Sequence, residues 1–224
     1  MSEAPFDIRL DPGRPDFVVD GAPGAMLIII SGPSGVGKDT IIEALRRREV
    51  AAGGRPDRHY VVTCTTRPPR PGEIDGVHYH FLSRKAFLDL HAARGFLEAN
   101  EVHGNWYGSP RAEVRDALVA GRDVILKIDV QGAQIVKKQV TEAFLIFVVP
   151  PSMEELFTRL RSRATETAEQ LEVRQRDAAI ELARQGDYDE VVTNETDRVE
   201  ETAAQIERII EAEHRRHPQR RVRV

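Results

Sequence analysis

Gly32-Pro33-Ser34-Gly35-Val36-Gly37-Lys38-Asp39-Thr40 lies between the apolar run Met26-Leu27-Ile28-Ile29-Ile30 and a helical pattern of Ile41, Ile42 and Leu45. Its glycines let the backbone turn tightly enough to aim successive N–H groups at one anion. A helix starting there adds its positive end, and a lysine closing the turn reaches the outer oxygens of a polyphosphate. Gly-x-x-x-x-Gly-Lys also occurs in ordinary glycine-rich turns, but a strand before it and a helix after it favour a phosphate-binding loop. One position departs from the motif. The Ser or Thr that would hold Mg²⁺ after the lysine is Asp39.

Working outward, two more apolar runs, Val124 to Ile128 and Phe144 to Val149, are continuous rather than alternating, as strands buried on both faces are. Helical patterns interleave with them over Asp39 to Arg48, Pro110 to Ala120 and Ser152 to Arg161. The last opens on Ser152-x-x-Glu155 after Pro150-Pro151, a capping-box signature. Further helix is expected from Met153 to Gln185 with a break, and from Asp197 to about Arg215. The alternation predicts an α/β fold, a parallel sheet wrapped by helices. Between about Tyr60 and Asn105 the texture changes to Thr/Val segments, Pro68-Pro69, Pro71-Gly72 and Asp75-Gly76, with a strand-like stretch from Val77 to Leu82; this predicts an inserted lobe of antiparallel strands and turns. Arginines crowd Arg159 to Arg176, with Thr167-x-x-Gln170 as a second cap, which predicts another insertion.

The 224 residues suit one domain with inserts, and a net charge of -4 argues against a nucleic-acid binder, whose phosphate contacts need a basic face. The single cysteine, Cys64, excludes an intrachain disulfide framework and suits a reducing compartment. Apolar runs of strand length do not span a membrane, and no signal-peptide pattern is visible, so a cytoplasmic protein is expected. The stretch up to Gly24 and the basic run His214 to Arg223 are both expected to be solvated, frayed tails.

Thr63-Cys64-Thr65-Thr66-Arg67-Pro68-Pro69-Arg70-Pro71-Gly72-Glu73 sets two guanidinium forks on a proline-stiffened backbone, an arrangement suited to bidentate capture of a phosphate dianion or, equally, to a solvated surface turn. Gly76-x-His78-Tyr79-x-Phe81, Phe96-Leu97-Glu98, Gly104-Asn105-Trp106-Tyr107-Gly108-Ser109 and Lys127-Ile128-Asp129-Val130-Gln131-Gly132 follow in order. With these motifs the chain closely resembles the guanylate kinases, over about Met26 to Glu211.

The resemblance implies a three-layer P-loop kinase fold with a parallel core sheet (25–58, 108–158 and 178–212), a small antiparallel-β GMP-binding lobe (59–107) and a helical lid (159–177), flanked by a 1–24 tail and a basic 213–224 tail. It implies phosphoryl transfer from ATP to GMP with Mg²⁺, small nucleotides as the ligands, and no nucleic-acid or membrane partner. Gly32, Pro33, Ser34, Gly35, Val36, Gly37, Lys38, Asp39 and Thr40 would hold ATP, with Asn194 near the adenine. Arg67 and Arg70 would grip the GMP phosphate with the Tyr79 and Tyr107 hydroxyls. Guanine presents two donors, N1–H and an amine, so its pocket wants a carboxylate beside small hydroxyls. Glu98, Ser109 and Thr63 match those positions, and Asp129 is a further acid at the strand end. Arg159, Arg163 and Arg174 would approach the phosphates as the lid closes, making Lys38, Arg67, Arg163 and Arg174 the catalytic cations.

Two residues depart from the family pattern. Asp39 replaces the loop hydroxyl, and Lys127 replaces the first acid of an Asp-x-Asp strand end. This charge swap predicts either that Asp39 and Lys127 pair directly, or that Asp39 acts on Mg²⁺ while Lys127 touches a phosphate. Thr40, the other hydroxyl at hand, lies a helical step away. The rival readings are a binding module on the same fold, disfavoured by the intact Lys38 and lid arginines, and a kinase for another phosphorylated acceptor, disfavoured by the guanine-pocket residues.

Overall fold

The computed structural model describes residues 19–53, 58–102, 104–161 and 168–224. In chain order the elements are β1 (Leu27–Ser31), α1 (Lys38–Ala51), β2 (Arg58–Tyr60), β3 (Cys64–Thr65), β4 (His80–Phe81), α2 (Arg84–Ala92), β5 (Phe96–Val102), β6 (Asn105–Pro110), α3 (Arg111–Val119), β7 (Asp123–Lys127), α4 (Val130–Gln139), β8 (Phe144–Val149), α5 (Met153–Arg161), α6 (Ala168–Leu182), β9 (Glu190–Thr193) and α7 (Val199–Arg216).

Five parallel strands in the order β2-β7-β1-β8-β9 make the central sheet, and β1, in its middle, is buried along its whole length. Alternate residues of β1 face opposite layers, as the two-residue period of a strand requires. Leu27 and Ile29 pack with Val124, Leu126 and Leu145 beneath α3 and α4, while Met26, Ile28 and Ile30 pack with Ile41, Leu45, Ile206 and Ile210 of α1 and α7. Each fully buried Ile or Leu here stabilises the fold by about 1.5–3 kcal/mol relative to exposure. The register Ile30↔Lys127 and Ile30↔Ile146 aligns the C-terminal tips of β7, β1 and β8, the edge at which ligands bind in parallel sheets.

The second sheet, β4-β3-β6-β5, is smaller. Its β5–β6 and β3–β6 pairs are antiparallel, but β3 and β4 run parallel, so the lobe is mixed rather than purely antiparallel as expected. The chain leaves β3, crosses through the arginine-bearing turn and returns alongside in the same direction. Cys64, Phe87 and Phe96 form its core, the two rings stacked at 4.4 Å, and α2 starts on a Ser83 cap whose hydroxyl accepts from the Ala86 N–H. The Ser152 cap of α5 is also present, its hydroxyl accepting from the Glu155 N–H at 3.1 Å, although the Glu155 carboxylate turns to Thr196 and Arg159 instead of back to the cap.

The basic C-terminus is not a frayed tail. Val222 and Val224 are buried in the α3/α4 layer, and Val19 and Val224 exchange both backbone hydrogen bonds at 3.0 and 3.1 Å. Arg221-Val222-Arg223-Val224 has the two-residue alternation of a half-buried strand, which sends both valines inward and leaves both arginines exposed. Gly21 N–H donates to Val222 at 2.8 Å, so the described end of the N-terminal stretch, from Val19, is also docked. Among the described residues no helix is long and apolar enough to cross a membrane.

Candidate functional site

β1 ends at Ser31, and the loop turns at once through Gly32, whose φ of 141° and contact with the Val148 carbonyl leave no room for a side chain. Gly37, at φ 96°, caps α1 with no side-chain hydrogen bond, so the first N–H groups of the helix face the loop's concavity. Lys38 Nζ folds back onto the Gly32 and Pro33 carbonyls at 2.5 and 3.0 Å. Burial lowers its pKa, against the opposing pull of Glu181, Asp39 and Asp129.

One cleft joins this loop to the second sheet. Ser34, Gly35, Gly37, Lys38 and Asp39 line it on one side, Thr63, Arg67, Arg70, Tyr79, Glu98 and Tyr107 on the other, with Lys127 and Asp129 at the tip of β7 and Arg174 and Glu181 on α6. Most of the residues expected from the sequence therefore meet. Ser109 joins through Glu98, and Thr40 donates to the Gly37 carbonyl at 2.7 Å within the loop. Asn194, expected near the adenine, is held against the back of the loop. It is buried, its amide donating to the Val36 carbonyl at 2.8 Å and accepting from Thr202 at 3.2 Å, so it braces the loop from behind. Arg163 lies outside the described residues, as does Thr167. Arg159 donates to Glu155, Thr196 and the carbonyls of Val36 and Asn194, tying α5 to the loop.

On the acceptor side, Arg67 makes a bidentate pair with Glu73, both bonds at 2.8 Å, and Glu73 also accepts from the Arg70 N–H at 2.6 Å. Burial pushes the Glu73 carboxyl up, but the bonds from Arg67 and Arg70 outweigh it and hold the group below the ordinary range. The Arg67 guanidinium lies 5.4 Å from the Tyr79 ring centroid, and Tyr79 stands edge-on to Tyr107 at 6.1 Å. Two guanidinium-bearing residues and two phenols thus converge on one small volume suited to a phosphate.

Glu98, on β5, is 3% exposed. Its Oε1 accepts from the Ser109 hydroxyl at 2.6 Å, while Oε2 has no hydrogen-bond partner among the described residues. Burial pushes this carboxyl up to about 8, against the Ser109 hydrogen bond and with the help of Asp129. A buried carboxyl with one open oxygen is a costly arrangement that a ligand with N–H donors would relieve. Gly132 admits it, since a Cβ there would stand 3.0 Å from Oε2. Asp129 is committed locally. It caps α4 through the Gly132 N–H at 2.8 Å and accepts from Asn100 at 3.1 and 3.2 Å.

Asp39 and Lys127 pair directly, the first of the two expected arrangements. The Lys127 ammonium also lies 4.7 Å from the Tyr79 ring centroid. Burial pulls it down, and Tyr79 and Asp39 more than offset this, so its pKa stands above the ordinary lysine value and it remains charged. These residues do not compose a dedicated Mg²⁺ site. The hydroxyl of the motif is absent, the carboxylate in its place is engaged by an ammonium, Thr40 is turned into the loop, and no group of three or more His, Cys, Asp or Glu gathers among the described residues.

Three cleft residues were missed in the sequence. Glu181 lines the cleft, and burial pushes its carboxyl up to about 7, with Lys38 as its main opposing influence. Glu73 and Asn100 serve the site through Arg67 and Asp129. Glu73 stood in the quoted motif, whereas an acid on a polar helix such as Glu181 carries no local signal.

A sequence model described as "Guanylate kinase" matches residues 24–213. The guanylate kinase of Clostridium perfringens (strain SM101 / Type A) is 45% identical over 188 residues, covering 84% of this chain and 83% of that protein. That of Thermobifida fusca (strain YX) is 46% identical over 168 residues, covering 75% and 83%. The crystal structure of guanylate kinase from Anaplasma phagocytophilum aligns with a TM-score of 0.70 at 32% identity, covering 88% of each chain. Matched by the family model over residues 24–213 and by relatives of about 45% identity over most of its length, the chain belongs to the guanylate kinase family.

Proposed function

We propose that the protein transfers the terminal phosphoryl group of ATP to GMP or dGMP, giving ADP and the guanosine diphosphate, reversibly, in guanine-nucleotide recycling in the cytoplasm. The observation that carries this reading is Glu98, a buried carboxyl with one oxygen bonded to Ser109 and the other open, in the same cleft as a phosphate-binding loop. Guanine N1–H and its amine would satisfy that carboxylate, whereas adenine would set a lone pair against it. Arg67, Arg70, Tyr79 and Tyr107 would hold the acceptor phosphate, and the loop with Lys38 the donor.

The acceptor is already an anion, so no protein base is needed. One of its phosphate oxygens forms the new P–O bond while the bond from the terminal phosphorus to the bridging oxygen of ATP breaks, leaving ADP. The chain contributes alignment and positive charge, with Arg174 and the other lid arginines closing over the phosphates and excluding water. Mg²⁺ would accompany ATP on its phosphates and water, as this ion commonly does, rather than in a protein cage. A coupled assay with ATP and Mg²⁺, offering GMP, dGMP, AMP and UMP in turn, tests the reading. Turnover restricted to the guanine nucleotides is expected, and no turnover of GMP overturns it.

A further inference from the structure

The cleft carries an acid, Asp39, in the first turn of α1 next to Lys38, where a polyphosphate would be repelled by it. Fold stability explains it poorly. The Asp39 side chain is 57% exposed, and so exposed an ion pair contributes little. A helix N-terminus favours an acid, but at that end an anionic ligand would compete for the same field. The partner has a different setting. Lys127 ends β7, its side chain is 16% exposed, and its ammonium sits between Asp39 on the loop side and the Tyr79 ring on the lobe side. Tyr79 in turn lies under the Arg67 guanidinium. The ammonium thus sits between the loop and the lobe, where donor and acceptor phosphates would meet on the proposed reading, held by a carboxylate that is itself largely exposed.

We propose that Lys127 is a phosphate-binding residue that places a cation of the protein's own between the donor and acceptor phosphates, and that Asp39 is its positioning residue, holding the ammonium in the cleft until nucleotide displaces it. The inference rests on the ATP:GMP reading for the class of ligand. It goes beyond that reading by assigning to a side chain part of the charge compensation, in a cleft where no cluster of metal-ligating side chains gathers among the described residues. Nucleotide binding then persists when divalent cations are removed, and the two members of the pair act on it with opposite sign.

The test is calorimetric titration of the full chain with ATP alone, in EDTA and in Mg²⁺, so that binding is read without turnover. In EDTA, Asp39→Asn is expected to tighten ATP binding about fivefold, since it removes a repelling charge and releases the ammonium, and Lys127→Met to weaken it about tenfold or more. Asp39→Asn combined with Lys127→Met is expected to lose the gain of Asp39→Asn, and Lys127→Arg to keep metal-free binding within a few-fold of wild type. Thermal melting of each variant before titration establishes that it is folded, and Lys127→Arg carries the test where Lys127→Met is not. The proposal is overturned if Asp39→Asn leaves metal-free ATP binding unchanged or weaker, or if the double variant binds as tightly as Asp39→Asn. A wild-type chain that binds ATP in Mg²⁺ while these variants match it refutes this inference alone. A wild-type chain that binds no ATP in either condition refutes the assignment of function as well.

Discussion

Glu98→Gln separates what the buried carboxyl does for binding from what it does to the fold. The carboxyl, ordinarily near 4.5, is pushed up to about 8 by burial, opposed by the Ser109 hydrogen bond and aided by Asp129. Below pH 4.5 it is protonated in folded and unfolded chains alike, so its ionisation does not affect stability. Between 4.5 and 8 the unfolded chain releases the proton while the folded chain retains it, so stability falls as pH rises. At about 1.4 kcal/mol per unit, the loss is below about 1 kcal/mol at pH 5 and on the order of 4 kcal/mol at pH 8. Glutamine has no proton to release. Its oxygen keeps the Ser109 bond, and its buried NH₂, without a partner, costs about 1–3 kcal/mol at every pH. Urea denaturation at pH 5 and pH 8 should therefore show Glu98→Gln gaining about 3–4 kcal/mol on wild type between the two, whatever the absolute offset. The same variant sets N–H donors against the donors of guanine and should weaken GMP binding about 10- to 100-fold while ATP binding is unchanged. Equal pH dependence of stability in the two proteins, or undiminished GMP affinity, refutes the assignment of Glu98.

Three further outcomes are expected. Because the ionised Glu98 is the form that accepts from guanine, wild-type GMP affinity should rise about fivefold from pH 7 to pH 8, measured by titration, with Glu98→Gln flat over the same range. Gly132→Ala puts a methyl group 3.0 Å from Glu98 Oε2; the helix gains up to about 1 kcal/mol in propensity, yet KM for GMP should rise several-fold with KM for ATP unchanged. Val222→Asp buries an unpaired carboxylate at a fully buried position and should lower stability by about 3–5 kcal/mol in urea denaturation while leaving both KM values within twofold, whereas a solvated tail would show no effect.

Continuous apolar runs made β1, β7 and β8 legible to within a residue at each end, because strands buried on both faces have no alternative but to be apolar throughout. β2 and β9 were not legible. They are short edge strands, and Arg58 to Tyr60 and Glu190 to Thr193 carry polar residues on their open sides. α4 was hidden by the motif that precedes it. Read for chemistry, Asp129 is a site acid, yet it caps a helix that opens on Val130 and carries Gly132 in its first turn, both poor helix formers. The lobe was recognised from its turns, but a parallel β3–β4 pair depends on a crossover that no local pattern encodes. In the cleft, residues embedded in short motifs, from Lys38 to Ser109, were found together. Glu181, isolated on α6, was not. The C-terminal alternation of arginine and valine was misread because its arginines dominate the composition while its two valines decide the packing.

The cleft treats charge and hydrogen bonding differently, and this sets what each contributes to recognition. Its cations already have partners: Lys38 the loop carbonyls, Arg67 the Glu73 carboxylate, and Lys127 the Asp39 carboxylate. A phosphate arriving there exchanges one partner for another, so the net affinity it gains is the difference between two pairings and is far smaller than either. The pairs also keep the cations in place, which favours a site already organised when the phosphates arrive. Glu98 is the opposite case. Its open oxygen is desolvated and has no partner among the described residues, so once the carboxyl is ionised a guanine donor gains the interaction without displacing another group of the protein. An adenine, lacking a donor at that point, would leave the oxygen buried and unsatisfied. Sites that hydrogen-bond a defining group reject the analogue without it far more strongly than charge or shape alone can. On the proposed reading, selectivity for the base would be concentrated in Glu98 and Ser109, whereas the exchangeable cations would govern how tightly the phosphates are held and how readily the diphosphate products leave.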